Sequence, residues 1–282
     1  MKTAVWAWFR APLTGSKSVR AYRALKIRDD SVRQRPRFSD ALTHVSTWIA
    51  SAYSATMLMA VTLALWAGSG PAGAETEYVA SDGKLTQLAF YRSVACGGAE
   101  IDKCQSILLR WPAHLRRDLR VGLSQIGADI PGKTRSLVIA ALRRAVSEIN
   151  TAGADITLTI ANGRHAHDAE IQLFLVNPDR QGKIRQVQRP LLRDQVLSSG
   201  LTRMRHKGRE ILGVHVGLSG RMQPDAIQSV VLEELVQSLG LMTDILNPHY
   251  RHRSVFAEDC DCTTELTGHD RAVLLMHYPP VN

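Results

Sequence analysis

The sequence predicts a mixed α/β fold, of the α/β or α+β class, and three observations carry that prediction. Short runs with two-residue alternation or β-branched enrichment stand at residues 119–126, 156–160, 170–176 and 211–218, the pattern of strands. Apolar residues recur at helical spacing over 134–150 and 224–239, and a further helical stretch follows at 267–278. The order is strand, helix, strand, strand, strand, helix, helix with no internal repeat, which describes a single domain.

In the first strand Leu119, Val121 and Leu123 alternate with Arg120, Gly122 and Ser124. Pro131-Gly132 marks a turn. Leu137, Ile139, Ala141, Leu142, Val146 and Ile149 then give one face of an amphipathic helix, with Arg143 and Arg144 on its polar side. Two strands and a third at 211–218 precede the helix at 224–239. Pro224 suits that helix's first turn, Asp225 its electropositive end, and Gly240 its stop. On a wheel, Leu232, Leu235, Val236 and Leu239 form an apolar side that Ile227 and Val231 extend, while Ser229, Glu233 and Gln237 form a narrow polar stripe. Glu234 lies off the stripe, between Val230 and Ile227. A carboxylate in an apolar sector is costly unless it is paired, protonated or ligated. The last helix has Thr267 as cap, Asp270 completing a capping-box-like pair, Val273, Leu274 and Leu275 inside, and Pro279 as terminator.

Charge divides the chain. Residues 1–74 hold ten Lys and Arg against Asp29, Asp30 and Asp40, leaving 25 basic and 23 acidic residues for the rest of the net +9 chain. The excess belongs to a leader and not to a folded binding face, which excludes a nucleic-acid reading built on overall charge. No residue from 45 to 74 is charged, and an apolar stretch there ends in Gly70-Pro71-Ala72-Gly73-Ala74, an A-x-A-like cleavage site before Glu75. The expected organisation is a basic leader (1–46), a signal h-region or membrane anchor (47–74), an N-terminal extension (75–118) and the main domain (119–282). Basic residues ahead of the apolar run orient the remainder outward. A cleaved signal releases an exported, periplasmic or secreted domain, whereas an uncleaved one tethers it to the inner membrane through 47–67. A basic insertion at 177–209 carries nine Lys and Arg against Asp179 and Asp194. It reads either as a surface for an anionic ligand or as a solvated excursion beside the core; no aromatic residue is interleaved for base stacking.

All four cysteines, Cys96, Cys104, Cys260 and Cys262, follow the leader. An even number in an exported domain points to disulfides. Pairing Cys96 with Cys104 leaves Cys260 with Cys262, a strained ring across one residue, whereas crossed pairs staple the domain's start to its end. The rival reading is a metal site at Asp259-Cys260-Asp261-Cys262.

The segment Glu233-Glu234-Leu235-Val236-Gln237-Ser238-Leu239-Gly240-Leu241, followed by Ser254-Val255-Phe256, Leu266-Thr267-Gly268-His269-Asp270 and Leu274 to Pro279, resembles the end of a zincin metallopeptidase domain. More closely it resembles an uncharacterised family of exported bacterial proteins related to the zincins, in which E-E-L-x-Q-x-L-G-L, S-[IV]-F and L-T-x-x-D-x-x-L-L-x-x-x-Y-x-P recur. The resemblance implies a zincin-like fold: a mixed sheet, an active-site-type helix and a C-terminal closing helix. By it, Glu234 matches the general base, Glu233 and Gln237 stand at the two histidine ligand positions, and Thr243 stands at the third with Asp244 beside it. Ser254-Val255-Phe256 matches the turn beneath the metal. Zinc prefers imidazole and thiolate, so no cofactor is expected, although a hard cation such as Ca²⁺ accepts oxygen ligands. Rescue of zinc by His165, His167, His249, His252, His269 or His277 is a further reading; by charge alone His277 suits a helix C-terminus. Two functions follow. One is a non-catalytic scaffold that binds a peptide or another envelope component; the other is a metal-dependent hydrolase with altered ligands and Glu234 as base. Either places Glu234 over a cleft floored by the strand at 211–218.

Overall fold

Four parallel strands and one antiparallel edge strand form the sheet that positions everything else. The computed structural model describes residues 78–98 and 104–281; the leader (1–46) and apolar segment (47–74) expected from the sequence lie outside the described residues. The elements run β1 (Tyr78–Ala80), α1 (Gln87–Cys96), β2 (Leu119–Ile126), α2 (Gly132–Thr151), β3 (Leu158–Ala161), a 3₁₀ turn (Gly163–Asp168), β4 (Ile171–Val176), β5 (Gly200–Lys207), β6 (Glu210–Ser219), α3 (Ile227–Gln237), β7 (Asp244–Leu246) and α4 (Gly268–His277). The main sheet has the order β3-β2-β4-β6-β5, with β5 antiparallel to β6 and every other pair parallel; β1 and β7 make a separate parallel pair.

A parallel strand covered on both faces must be apolar throughout, and β4 is. Ile171, Leu173 and Leu175 join the core containing α2 and α3, whereas Phe174 and Val176 look the other way. There the basic insertion covers them. Its Ile184, Val187, Leu192 and Leu197 are buried with Phe174 and Val176 in a second apolar cluster. The insertion is therefore no solvated excursion, and its charge is partly spent internally, since Arg185 pairs with both Asp179 and Asp194. Its last part is β5. The signal for that strand was present: Lys207-Gly208-Arg209-Glu210 is a tight hairpin in which Gly208 takes φ +58°.

Residues 78–98 and 104–118 share the main core. Phe90, Tyr91, Val94 and Trp111 are buried in it, and α1 packs against α4. Their role is clearest at the end of α3, whose last carbonyls have no helical partner. Trp111 Nε1 donates to Ser238 O at 3.0 Å, and Tyr278 Oη donates to Leu239 O at 2.6 Å while accepting from Trp111 N at 3.1 Å. The chain leaves through Gly240 at φ +101°, where any Cβ would collide with Leu109 O.

Asp270 ties the loop after β7 to α4. It is 1% exposed, and its carboxylate accepts from Ser254 Oγ at 2.7 Å and Val255 N at 2.8 Å. The expected capping box with Thr267 does not form, because Asp270 is turned to the Ser254 turn and Thr267 makes no side-chain cap bond. Disulfides join Cys96 to Cys104 and Cys260 to Cys262, so both links are local and the crossed pairing is not formed. They are consistent with an exported protein. Among the described residues no helix is long and apolar enough to cross a membrane.

Replacing Tyr278 by Phe leaves a buried carbonyl and a buried amide without their partner. The variant is expected to lose about 2 kcal/mol, read from urea denaturation as a lower midpoint with unchanged slope.

Candidate functional site

Helix α3 brings the sequence's candidate residues together, in an arrangement the helical wheel only partly conveys. Its polar stripe meets water only at the partly exposed Glu233. Ser229 and Gln237 are buried; Ser229 Oγ donates to Asp261 O at 2.6 Å, with Ala226 O at 2.9 Å as the alternative acceptor, and Gln237 Nε2 donates to Asp244 Oδ1 at 3.0 Å. The loop around Asp261 and the start of β7 thus close over α3. Thr243 is buried, with its amide on Val94 O.

Carboxyl groups converge here. Glu233 and Asp244 keep a partly exposed rim, yet burial pushes both carboxyls well above the usual range. Repulsion adds to it: Glu233 feels Asp244, Glu234, Asp261 and Glu258, and Asp244 feels Glu258, Glu234 and Asp261. The Gln237 amide opposes the rise at Asp244. The upward shift favours the neutral form of each carboxyl, which relieves a desolvated like-charge cluster.

Glu234 is 6% exposed and lies against β5, not over β6 as the sequence had suggested. Gly200 makes room for it, since a Cβ there would run into the carboxyl group. Thr202 Oγ1 stands 2.6 Å from Glu234 Oε2 and 3.1 Å from the Glu234 main-chain oxygen. One hydroxyl hydrogen cannot serve two acceptors. Burial pushes the Glu234 carboxyl up to about 8, against the opposing bond from Thr202. Protonated, it supplies the second hydrogen, and the Thr202 hydroxyl is then free to bond the main chain. Among the described residues no arginine bonds to it, although Arg203 acts on it through space.

The donor set on α3 does not fit zinc. It has no imidazole or thiolate, and the Gln237 amide points a hydrogen at Asp244. The histidines weighed as substitutes stand elsewhere. His277 is fully buried; its Nε2 donates to Leu109 O at 2.8 Å and its Nδ1 accepts from Tyr91 at 3.1 Å. Burial lowers its pKa to about 3, so it is neutral packing and not a cation at a helix end. His269 stacks on Phe90 at 5.0 Å, and His249 meets the Tyr250 ring edge to face at 4.9 Å. His165 and His167 are exposed on the 3₁₀ turn, which packs on β2 through Ala166 and Gly122. His252 alone lies beside other ligating atoms, those of Cys260 and Cys262. An open depression of about 230 Å³ lies on the sheet's other face, with Glu170, Gln172, Arg205 and His215 among its lining, and takes in none of the α3 residues.

Thr202, Gly200, Glu258 and Asp261 are the residues around α3 whose place there the sequence did not show, Asp261 being read only as part of a rival metal site with Cys260 and Cys262. The first two were hidden with β5 inside the insertion; the last two sit in a loop with no periodicity to read.

These features define a mixed α/β domain with a buried acidic site on a core helix and no zinc-enzyme ligand set there. The chain belongs to the family described as protein of unknown function (DUF2927), whose signature covers residues 87–281. Comparison with curated proteins finds no match.

The acidic site makes stability depend on pH. Glu234 rises from 4.5 to about 8 and Asp270 from 3.8 to about 7, both through burial. The folded state therefore keeps protons that the unfolded chain releases. Their contribution is complete below the unfolded values and is lost as pH rises through the folded ones, at no more than about 1.4 kcal/mol per pH unit for each group. Denaturation midpoints should fall between about pH 5 and about pH 8. Glu234→Gln, whose amide imitates the protonated acid, should keep the acidic-side stability and flatten the slope.

Proposed function

We propose that this is an exported protein whose zincin-like domain no longer hydrolyses peptides and instead holds an extended peptide or another cell-envelope segment. One observation carries the reading: the position matching the base and one of those matching the ligands are bonded within the protein. Gln237 is spent on Asp244, and Glu234 is closed against Thr202 and Gly200. A general base must reach a metal-bound water, and a protonated carboxyl packed on a strand does not.

The zincin label is supported by the succession of parts: a core helix, a glycine turn, the Ser254 turn and a closing helix, beside a sheet whose edge strand is antiparallel. Export is supported by the two disulfides and by the basic leader with its apolar run. Binding is supported by β5. Among the described residues it pairs only with β6, so its outer side is a sheet edge, the template on which an extended segment adds as a further strand. Arg203, Arg205 and Lys207 lie along it and favour an acidic segment.

The protein with its disulfides intact should carry no stoichiometric metal, hydrolyse no peptide and keep its melting temperature in chelator. Extended acidic peptides should shift backbone amide resonances chiefly at 200–207. Bound metal together with hydrolysis abolished by Glu234→Gln would instead establish a metal-dependent hydrolase with Glu234 as base.

A further inference from the structure

The loop between β7 and α4 carries a group of side chains that the proposed cleft leaves unused. His252 Nδ1 lies 3.0 Å from Cys262 Sγ and 3.4 Å from Cys260 Sγ, and one ligating atom from each of the three residues falls within 4.8 Å of the others. A disulfide sulfur is a weak acceptor with no hydrogen to give, so it offers an exposed imidazole little. Once the S–S bond is broken, the same nitrogen stands within reach of two separate thiols, the arrangement a shared ion uses.

We propose that the dithiol form of Cys260 and Cys262, together with His252, is a binding site for a thiophilic transition-metal ion of the zinc(II) class, and that the Cys260–Cys262 disulfide is its oxidised, metal-free form. Two thiolates and one imidazole are a borderline-soft set suited to such an ion, and three protein ligands leave a fourth tetrahedral position open. This set is chemically unlike the oxygen donors on α3 and is independent of the reading given for that helix.

The ligands stand on two turns that are separately anchored. His252, Arg253 and Ser254 all direct their amides at Tyr250 O, at 3.1, 2.9 and 3.1 Å. Tyr250 itself is buried and accepts from Leu85 N at 2.9 Å. His252 takes φ +137°, a conformation costly for a residue with a Cβ and maintained only by its surroundings. On the other turn Cys260 N donates to Ala257 O, and the Asp261 carbonyl between the two cysteines accepts from Ser229 of α3 at 2.6 Å. Ligand positions held by separate backbone anchors lose little freedom when an ion arrives.

Redox state decides occupancy. Reduction takes two electrons and two protons, breaks one S–S bond and makes two thiols; an exported dithiol reductant supplies them and becomes a disulfide itself. Zinc then displaces the two thiol protons to solvent, giving a neutral site of Zn²⁺, two thiolates and neutral imidazole. Each pair has one exposed cysteine, Cys262 or Cys104; the partner of Cys262, Cys260, is only half-buried, whereas the partner of Cys104, Cys96, is fully buried.

The test uses the full chain, reduced with an excess of a water-soluble phosphine, which is oxidised to its phosphine oxide, and then given zinc chloride or cobalt chloride without oxygen. One zinc per chain is expected after reduction and none before it. Cobalt should produce a thiolate-to-metal charge-transfer band, which identifies sulfur ligands with no substitution made. Cys260→Ser and Cys262→Ser should each abolish binding, and His252→Ala should weaken it roughly tenfold or more. The double variant Cys96→Ser/Cys104→Ser and the variant His249→Ala should bind as the unaltered chain does, with circular dichroism confirming the fold of each. The proposal is overturned by a pair that stays oxidised in excess phosphine, by a reduced chain that takes up no metal, or by metal that survives Cys262→Ser or follows Cys96 and Cys104. Because the peptide-binding reading is measured with the disulfides intact, either can fail alone.

Discussion

A helix buried in a core must find partners for its last carbonyls, and the way α3 meets that demand organises the rest of the domain. Water is excluded there, so Trp111 and Tyr278 supply the donors, reaching Ser238 O and Leu239 O from opposite ends of the described chain. Gly240 lets Leu109 approach, and Leu109 O in turn receives His277. Residues before the sheet and the closing helix thus converge on one helix terminus. The order of magnitude supports this ranking: an unsatisfied buried carbonyl costs about 1–3 kcal/mol, and two adjacent ones would take much of the stability of an ordinary domain.

The acidic side chains on α3 follow a second rule. Charges in a poorly solvated place are tolerated only with counter-charges, and α3 has no bonded cation to offer them. The alternative is to retain protons. Glu234 turns this to structural use, for its proton lets one threonine hydroxyl hold both the helix backbone and the carboxyl. The hydrogen bonds of Glu234 and Gln237 thus join α3 to β5 and β7.

Much of this was legible in the sequence because burial leaves periodic traces. Strand β2 coincides with its alternating run, α2 and α4 with their apolar stripes, and the Glu234 position off the polar stripe correctly announced a buried carboxyl. What was not legible depended on partners distant in sequence. Asp270 reads locally as a cap, yet it serves Ser254 and Val255. His277 reads as a charge at a helix end, yet it is neutral between Tyr91 and Leu109. Strand β5 was lost because its charged residues dominated the composition of the insertion, while its inward Thr202 and Met204 were too few to show a stripe. The local cysteine pairing ran against ring strain, an argument that weighs one link and ignores where the fold puts all four sulfurs.

The first described segments complete nothing by themselves. Tyr91 meets His277 across 186 residues, Leu85 meets Tyr250 across 165, and β1 lies along β7. Contacts so distant in sequence require large loops to close before any reward is collected, and topologies of this kind fold slowly. A growing chain therefore has no finished core to collapse onto until α4 has been synthesised. The topology itself delays folding of the domain until α4 is available, leaving an interval in which the polypeptide remains extended enough to be threaded, held by a chaperone, or cut.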